Sequence, residues 1–319
     1  MDIGAGITFG AGVSIEAAPT ATGNKAIFGY GAVVINNNWV GVSMTNLISN
    51  SGVVGNDVTG VGTGRGALAA AGYGGDKALF GYGTTNMGVS GVVAMTNKVS
   101  NTGVVATDTT GVGTRRSNLA AAGYGGDKAL FGYGYLDFNP PFVSMTNLVS
   151  NTGVVASDTT GVGYARYALR AAGYGTDKAI FGYGYGNEGA GYTSITNLVS
   201  NTGVVATNTT GVGSPRNDPS ATGYGNDKAM FAFGYNGSTG GYKSITNLVS
   251  NTGVVATDTS TVATARFSAP SAVYGTDKAI IGPGSGGYVN NLVSNTGVIA
   301  SDTMGVGTDR STPAGAAYG

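Results

Sequence analysis

The segment Lys-Ala-Ile/Leu/Met-Phe begins at Lys25, Lys77, Lys128, Lys178 and Lys228 and returns as Lys-Ala-Ile-Ile at Lys278, with spacings of 52, 51, 50, 50 and 50 residues. A second landmark, Arg65, Arg116, Arg166, Arg216, Arg266 and Arg310, precedes the next such lysine by twelve residues wherever one follows. Two landmarks on one period make the chain a tandem repeat of six units. Length alone, at 319 residues, would have suggested two domains.

The unit that starts at Arg116 contains no 3.6-residue apolar period. Instead, short apolar segments at residues 119–124, 128–133, 144–150 and 153–159 are separated by Gly, Asn, Asp and Thr. Gly125-Gly126-Asp127 and Asn151-Thr152-Gly153 supply the left-handed residues that hairpin turns require. Each unit therefore reads as a four-stranded antiparallel meander. An isolated meander leaves its faces uncovered until neighbours stack on it, so six copies predict an all-β fold, a six-bladed β-propeller. An open β-solenoid is the alternative, with shorter rungs and parallel strands.

The first strand, Leu-Ala-Ala-Ala-Gly in two copies, is the smallest in volume and is expected innermost. Phe80, Phe131, Phe181 and Phe231 on the second strand are expected to fill the space between blades, beside the Leu-Val of the third. Residues 310–319 repeat the start of a first strand and stop, while a second strand already waits at Lys25. Pairing of the two chain ends is thus expected to complete the first blade, although residues 19–23 also resemble a first strand. On this reading residues 21–319 form one propeller domain and residues 1–20 a Gly-rich extension.

Composition removes most chemistry. The chain has no cysteine and no histidine, which excludes disulfides, thiolate or imidazole metal ligands, and Ser-His-Asp or Cys-His catalysis. Sixteen basic residues balance sixteen acidic ones without long runs, so no nucleic-acid partner is expected. No apolar window suits membrane insertion and no secretory signal is recognisable at the start, so a soluble protein is expected.

The order of arginine, small-residue strand and Lys-Ala-Ile-Phe-Gly-Tyr-Gly resembles the kelch repeat over nearly the whole chain. It departs in having Gly-x-Gly (Gly132, Gly134) in place of adjacent glycines, and Val where kelch units carry a fourth-strand Trp. Thr264-Ala265-Arg266 with its Ala-rich and Phe-Gly-x-Gly context is similar to kelch-type repeats of marine bacteriophage (cyanophage-like) virion proteins. The opening Ile-Gly-Ala-Gly-Ile-Thr-Phe-Gly-Ala-Gly is similar to the starts of phage structural proteins. This resemblance implies a virion or extracellular-surface location and a host-contacting role, such as a tail-fibre component.

Comparing the units with one another locates where function can sit. Thr-Asn-Leu-Val-Ser-Asn-Thr-Gly-Val-Val-Ala recurs almost unchanged, whereas two windows vary: the loop between strands two and three, and the connection around the marker arginine. In an up-down meander both emerge at one end. They carry Trp39, Tyr135, Phe138, Phe142, Tyr164, Tyr167, Tyr185, Glu188, Tyr192, Tyr235, Tyr242, Phe267 and Tyr288. Aromatic rings among Gly, Ser and Asn give rigid contact area with adaptable hydrogen bonding, the mixture found in paratopes. Unselected drift of loops is the competing explanation.

The recurrent Asp57, Asp108, Asp158, Asp258 and Asp302, with Asn208 in the fifth slot, read as structural caps that bond local backbone, not as calcium ligands. The same holds for Asp76, Asp127, Asp177, Asp227 and Asp277, and the marker arginines are expected to bond carbonyls or carboxylates. Gly184-x-Gly186-x-x-Gly189 matches a dinucleotide fingerprint but lacks a following helix. A glycosidase would need a close carboxylate pair, for which Asp137, Glu188, Asp218 and Asp309 are the non-repeated candidates. The expectation is a non-enzymatic binding propeller without metal or cofactor, contacting a surface glycan, a protein receptor or other virion proteins. A purely structural virion component is the alternative, and a glycan-degrading enzyme a more distant one.

Overall fold

The computed structural model describes residues 24–86, 91–139, 141–186 and 191–319. The proposed extension at residues 1–20, the competing first-strand segment at 19–23 and Glu188 lie outside them. Among the described residues the structure is a series of small antiparallel sheets with no α-helix, as the period-two patterning requires.

Each unit repeats one order. In the third, Ala120–Tyr124 pairs with Lys128–Tyr135, which pairs with Phe142–Val149. The other units follow suit from Ala69–Tyr73, Arg170–Tyr174, Ser220–Tyr224 and Ser271–Tyr274. The first unit takes its first strand from the other end of the chain: Ala314–Tyr318 pairs antiparallel with Lys25–Gly29, Lys25 opposite Tyr318. Each first strand packs beside that of the next unit, and Ser271–Tyr274 packs beside Ala314–Tyr318.

The fourth strand is a correction. It is regular in the first unit, at Val54–Val58, and shorter at Thr259–Ser260 and Thr303–Met304. In the third unit, residues 153–159 make only the bridges Val149 to Val155 and Thr146 to Thr159. The buried side chain of Asn147 donates to the Ala156 carbonyl at 3.0 Å beside a backbone bond from the Ala156 N–H to the Leu148 carbonyl, and Asn46 donates in the same way to Gly55 in the first unit, where the fourth strand is regular.

Phenylalanine and glycine seal the units together. Phe80, Phe131, Phe181 and Phe231 are fully buried, and each of Phe80, Phe131 and Phe181 packs edge-on or tilted against a tyrosine of the preceding unit, with centroids 4.9–5.0 Å apart. The ring tip of Phe131 lies 2.5 Å from where a Cβ on Gly81 would stand, and Phe181 bears the same relation to Gly132 at 2.6 Å. Only glycine admits the ring this closely. The fifth and sixth units solve the same problem differently: Ala232 replaces the glycine and Ile281 the phenylalanine, within one buried cluster.

The marker arginine is the second joint. Arg116 is fully buried, lies 4.4 Å over the Tyr82 ring of the preceding unit, and donates from Nε to the Tyr133 carbonyl at 2.8 Å and from Nη2 to Asn147 Oδ1 at 2.5 Å. Asn147 in turn donates to Asp158 at 2.8 Å, and Asp158 accepts from the backbone and hydroxyl of Thr114. The recurrent aspartates are therefore structural, as expected, yet their partners are not local: Asp158 and Thr114 are 44 positions apart. The final copy joins Asp57 to Thr308, 251 positions away. Burial alone would raise the Asp158 carboxyl, but the bonds from Thr114 and Asn147 hold it below the usual carboxylate range.

The stacked Tyr30, Tyr82, Tyr133 and Tyr183 hold left-handed backbone angles, with φ of 62–63°, which bulky residues avoid. Arginine stacking and a hydroxyl bond to a valine carbonyl from each ring hold them there. Burial pushes Tyr30 and Tyr183 up to about 12. The sixth unit has Pro283 at this position, which cannot adopt positive φ, and among the described residues no ring stacks on Arg310.

Candidate binding face

The two variable windows are bonded to each other. Ser117 pairs with Tyr135, Tyr167 with Tyr185, Asn217 with Tyr235, Phe267 with Ser285, and Ser311 with Ala32. Each residue in the first position of these pairs follows a marker arginine directly, so the buried arginine clamp orients the surface residue beside it.

This placement gathers eight of the predicted aromatics into one continuous arc. Phe142 stacks on Tyr167 at 4.9 Å and 21°, and Tyr135 contacts both. Tyr167 meets Tyr185 edge-on at 5.8 Å, Tyr185 meets Tyr192 at 5.0 Å, and Tyr192 reaches Tyr235 at 6.3 Å. Tyr235, Tyr242 and Phe267 close the far end as a triangle with sides of 5.3–5.8 Å. Tyr242 is exposed and the other seven are half-buried, so the arc presents ring edges and faces to solvent. It runs from the third unit to the start of the sixth.

The remaining predicted residues separate. Phe138 is exposed and outside the arc. Tyr164 is a correction: it is only 7% exposed, its hydroxyl end packed where Gly186 leaves room, so it supports the loop from below. Tyr288 donates its hydroxyl to the Gly307 carbonyl on the sixth unit. Trp39 sits on a hairpin of the first unit, where Ala32–Ile35 pairs with Asn38–Gly41 through a turn whose Asn36 and Asn37 have φ of 50° and 63°.

Beside the arc lies an ion pair that the repeat comparison had the means to reveal. Arg170 begins a first strand where other units have Ala, Ser or Pro-Ser, and its guanidinium lies 2.8 Å from Asp218. Both line or neighbour the alanine-walled cavity at the start of the first strands. Asp218 bonds through its backbone to Ala168, next to Tyr167, and to Ser268, next to Phe267. Burial pushes its carboxyl up while Arg170 opposes the shift. The signal for Arg170 in the sequence is a lone charge inside an otherwise small-residue strand.

Among the described residues, the contacts of the non-repeated acids do not include a carboxylate pair. Asp137 pairs with Arg115 at 3.2 Å, Asp218 pairs with Arg170, and Asp309 lines a groove with Trp39. Among the described residues no group of three or more acidic side chains is arranged to hold a metal ion. The Gly184 segment runs into a short strand, Tyr185–Gly186, with Gly189 outside the described residues. No helix among the described residues is long and apolar enough to cross a membrane. Compared with known proteins, the chain matches no family model and no curated protein.

Proposed function

We propose that this chain is a six-bladed, kelch-like propeller that acts as a non-enzymatic binding protein, presenting the aromatic arc to a glycan or protein on a surface. The propeller reading is supported by the order in which first strands pack and by the pairing of the two chain ends. The observation that carries the binding reading is the arc itself. Eight rings in contact, half-exposed and confined to one side of a repeated scaffold, are costly to keep in water without a partner and suit a ligand with both apolar faces and polar edges. The Arg170–Asp218 pair at its inner margin supplies charge-assisted hydrogen-bonding groups. Taken with the resemblance to phage kelch-type repeats, the setting is a virion appendage that contacts the host surface.

A glycan array and a host-cell binding assay on the isolated chain test this. Replacing Tyr167, Tyr185, Tyr235 and Phe267 together by Ala is expected to weaken binding by about tenfold or more, the loss of a hot-spot cluster. Unchanged binding would remove the proposal.

A second reading, a structural assembly component, is favoured by a different feature. Val53, Val104, Val154, Val204, Val254 and Val298 recur in every unit and are 60–67% exposed. A sixfold set of exposed apolar side chains suits a symmetric neighbour. Stoichiometric incorporation into particles with no binding by the isolated chain would favour this reading over the first.

A further inference from the structure

We propose that the groove between the Trp39 hairpin and the shortened loop of the sixth unit is a second binding site, one for an organic ammonium group. It goes beyond the aromatic arc in both position and ligand chemistry.

The groove exists because one loop is short. Gly284 and Gly287 bond each other across a tight turn, where other units carry longer loops, and a volume of about 500 Å³ opens against the hairpin. Gly286 backs onto Tyr242, the end of the arc, so the groove begins where the aromatic surface stops. Its other wall is Trp39, 52% exposed, with Val34 beside it.

Charge identifies the ligand class. Arg310 is buried in the floor and already engaged, donating to Asn46 Oδ1 and, at 2.5 Å, to the Met44 carbonyl, with Asp57 as its nearby counter-charge. Asp57 is itself bonded by Asn46 and Thr308. Asp309 is exposed and has no ion pair or hydrogen bond among the described residues. With Arg310 and Asp57 offsetting each other, the uncompensated charge of the groove is the Asp309 carboxylate. An indole face attracts a cation through its quadrupole, most strongly of the aromatic rings, and a carboxylate at the same site adds the ionic partner. A divalent metal would need several oxygen donors, whereas this groove offers one free carboxylate. A neutral sugar would use the indole and gain nothing from the charge. The group that uses both is a primary or quaternary ammonium, such as a lysine side chain or a choline-like headgroup.

Trp39 is the chain's single tryptophan, so its emission reports this groove directly. The full chain is titrated at constant ionic strength with N-acetyl-lysine methylamide, with tetramethylammonium chloride and with glucose. The expected result is a saturable emission change for both cations with a roughly millimolar Kd, and none for glucose. Asp309→Asn is expected to weaken the cations about fivefold. Saturation-transfer NMR on Trp39→Leu, which keeps an apolar side chain without the indole, is expected to show loss of binding. Absence of saturable change for either cation, equal affinity in Asp309→Asn, or preference for glucose would overturn the assignment. Because none of these readouts involves the arc, the arc proposal stands or falls separately.

Discussion

The marker arginine and the residue that follows it are neighbours in the chain and opposites in behaviour. At positions 65, 116, 166, 216, 266 and 310 the residue is always arginine, whereas positions 66, 117, 167, 217, 267 and 311 hold Gly, Ser, Tyr, Asn, Phe and Ser. Arg116 turns inward onto a ring of the preceding unit, an asparagine and a carbonyl; the residue after the arginine bonds the variable loop through its backbone, with Tyr167 and Phe267 half-exposed in the arc and Ser117 buried. The buried guanidinium of Arg116 has no ready substitute because all three of its nitrogens donate to fixed acceptors. One residue later, the backbone supplies the pairing, so the side-chain type is not fixed by it. A rigid joint thus carries a surface position free to change, which is how a repeat protein holds diverse contacts at constant geometry.

The largest expected effect breaks the inward half. Arg116→Met leaves Asn147 Oδ1 and the Tyr133 carbonyl buried without their donor, and is expected to cost about 3–5 kcal/mol in denaturant unfolding. A loss below about 1 kcal/mol would mean that the clamp is dispensable.

Next is the wedge between units. Gly132→Ala places a methyl group against the Phe181 ring and is expected to cost about 1–3 kcal/mol by overpacking. Adding Phe181→Ile recreates the Ala232 and Ile281 combination found between the fifth and sixth units, and should recover part of that loss. Additive losses in the double variant would show that the natural pair is coincidental.

A pH series sharpens the contrast. With no histidine, the one described carboxyl pushed upward is Asp218, so any change in thermal stability between about pH 5 and 8 should be a decline with rising pH as that buried carboxyl ionises, and should be absent from Asp218→Asn. The carboxyls of Asp108, Asp158 and Asp258 are held below their unfolded range by hydrogen bonds. Their contribution is therefore complete above about pH 4 and is lost as pH falls through the lower folded values. At the alkaline end, Tyr30 and Tyr183 ionise at about 12 when folded. Stability should accordingly decline from about pH 10, where the unfolded tyrosines begin to ionise. A midpoint that rises between about pH 5 and 8, or that still moves there in Asp218→Asn, would contradict this assignment of titrating groups.

The smallest effect on stability belongs to the outward half. Tyr185→Ala removes a half-buried ring from edge-on contacts with Tyr167 and Tyr192, and is expected to change unfolding free energy by about 1 kcal/mol. If it destabilised as much as Arg116→Met, the arc would be part of the core and not a surface.

The repeat period, the order of the first three strands within a unit, the packing of the small-residue first strands against one another and the filling role of Phe80 and its copies were all legible from residue type and spacing. Such features depend on short-range pattern and on side-chain volume. Legibility failed at the fourth strand, where Val154 and Val155 read as strand formers but the third unit makes only the bridges Val149 to Val155 and Thr146 to Thr159. It failed also at Tyr164, which looks like Tyr167 in sequence and lies under the loop instead of on it.

Within the candidate sites, the sequence by itself determined which residue types were available: many aromatic rings, few carboxylates, no histidine and no cysteine. Only the tertiary structure decided which of those rings touch. Tyr135 and Tyr167 belong to different units, as do Tyr192 and Tyr235, and their contacts depend on how neighbouring units pack. The same is true of Arg170 meeting Asp218 and of Trp39 and Asp309 lining one groove. Spacing along the chain specifies a period, whereas proximity between side chains of different units is set by the Phe–Gly and arginine joints that fix one unit against the next.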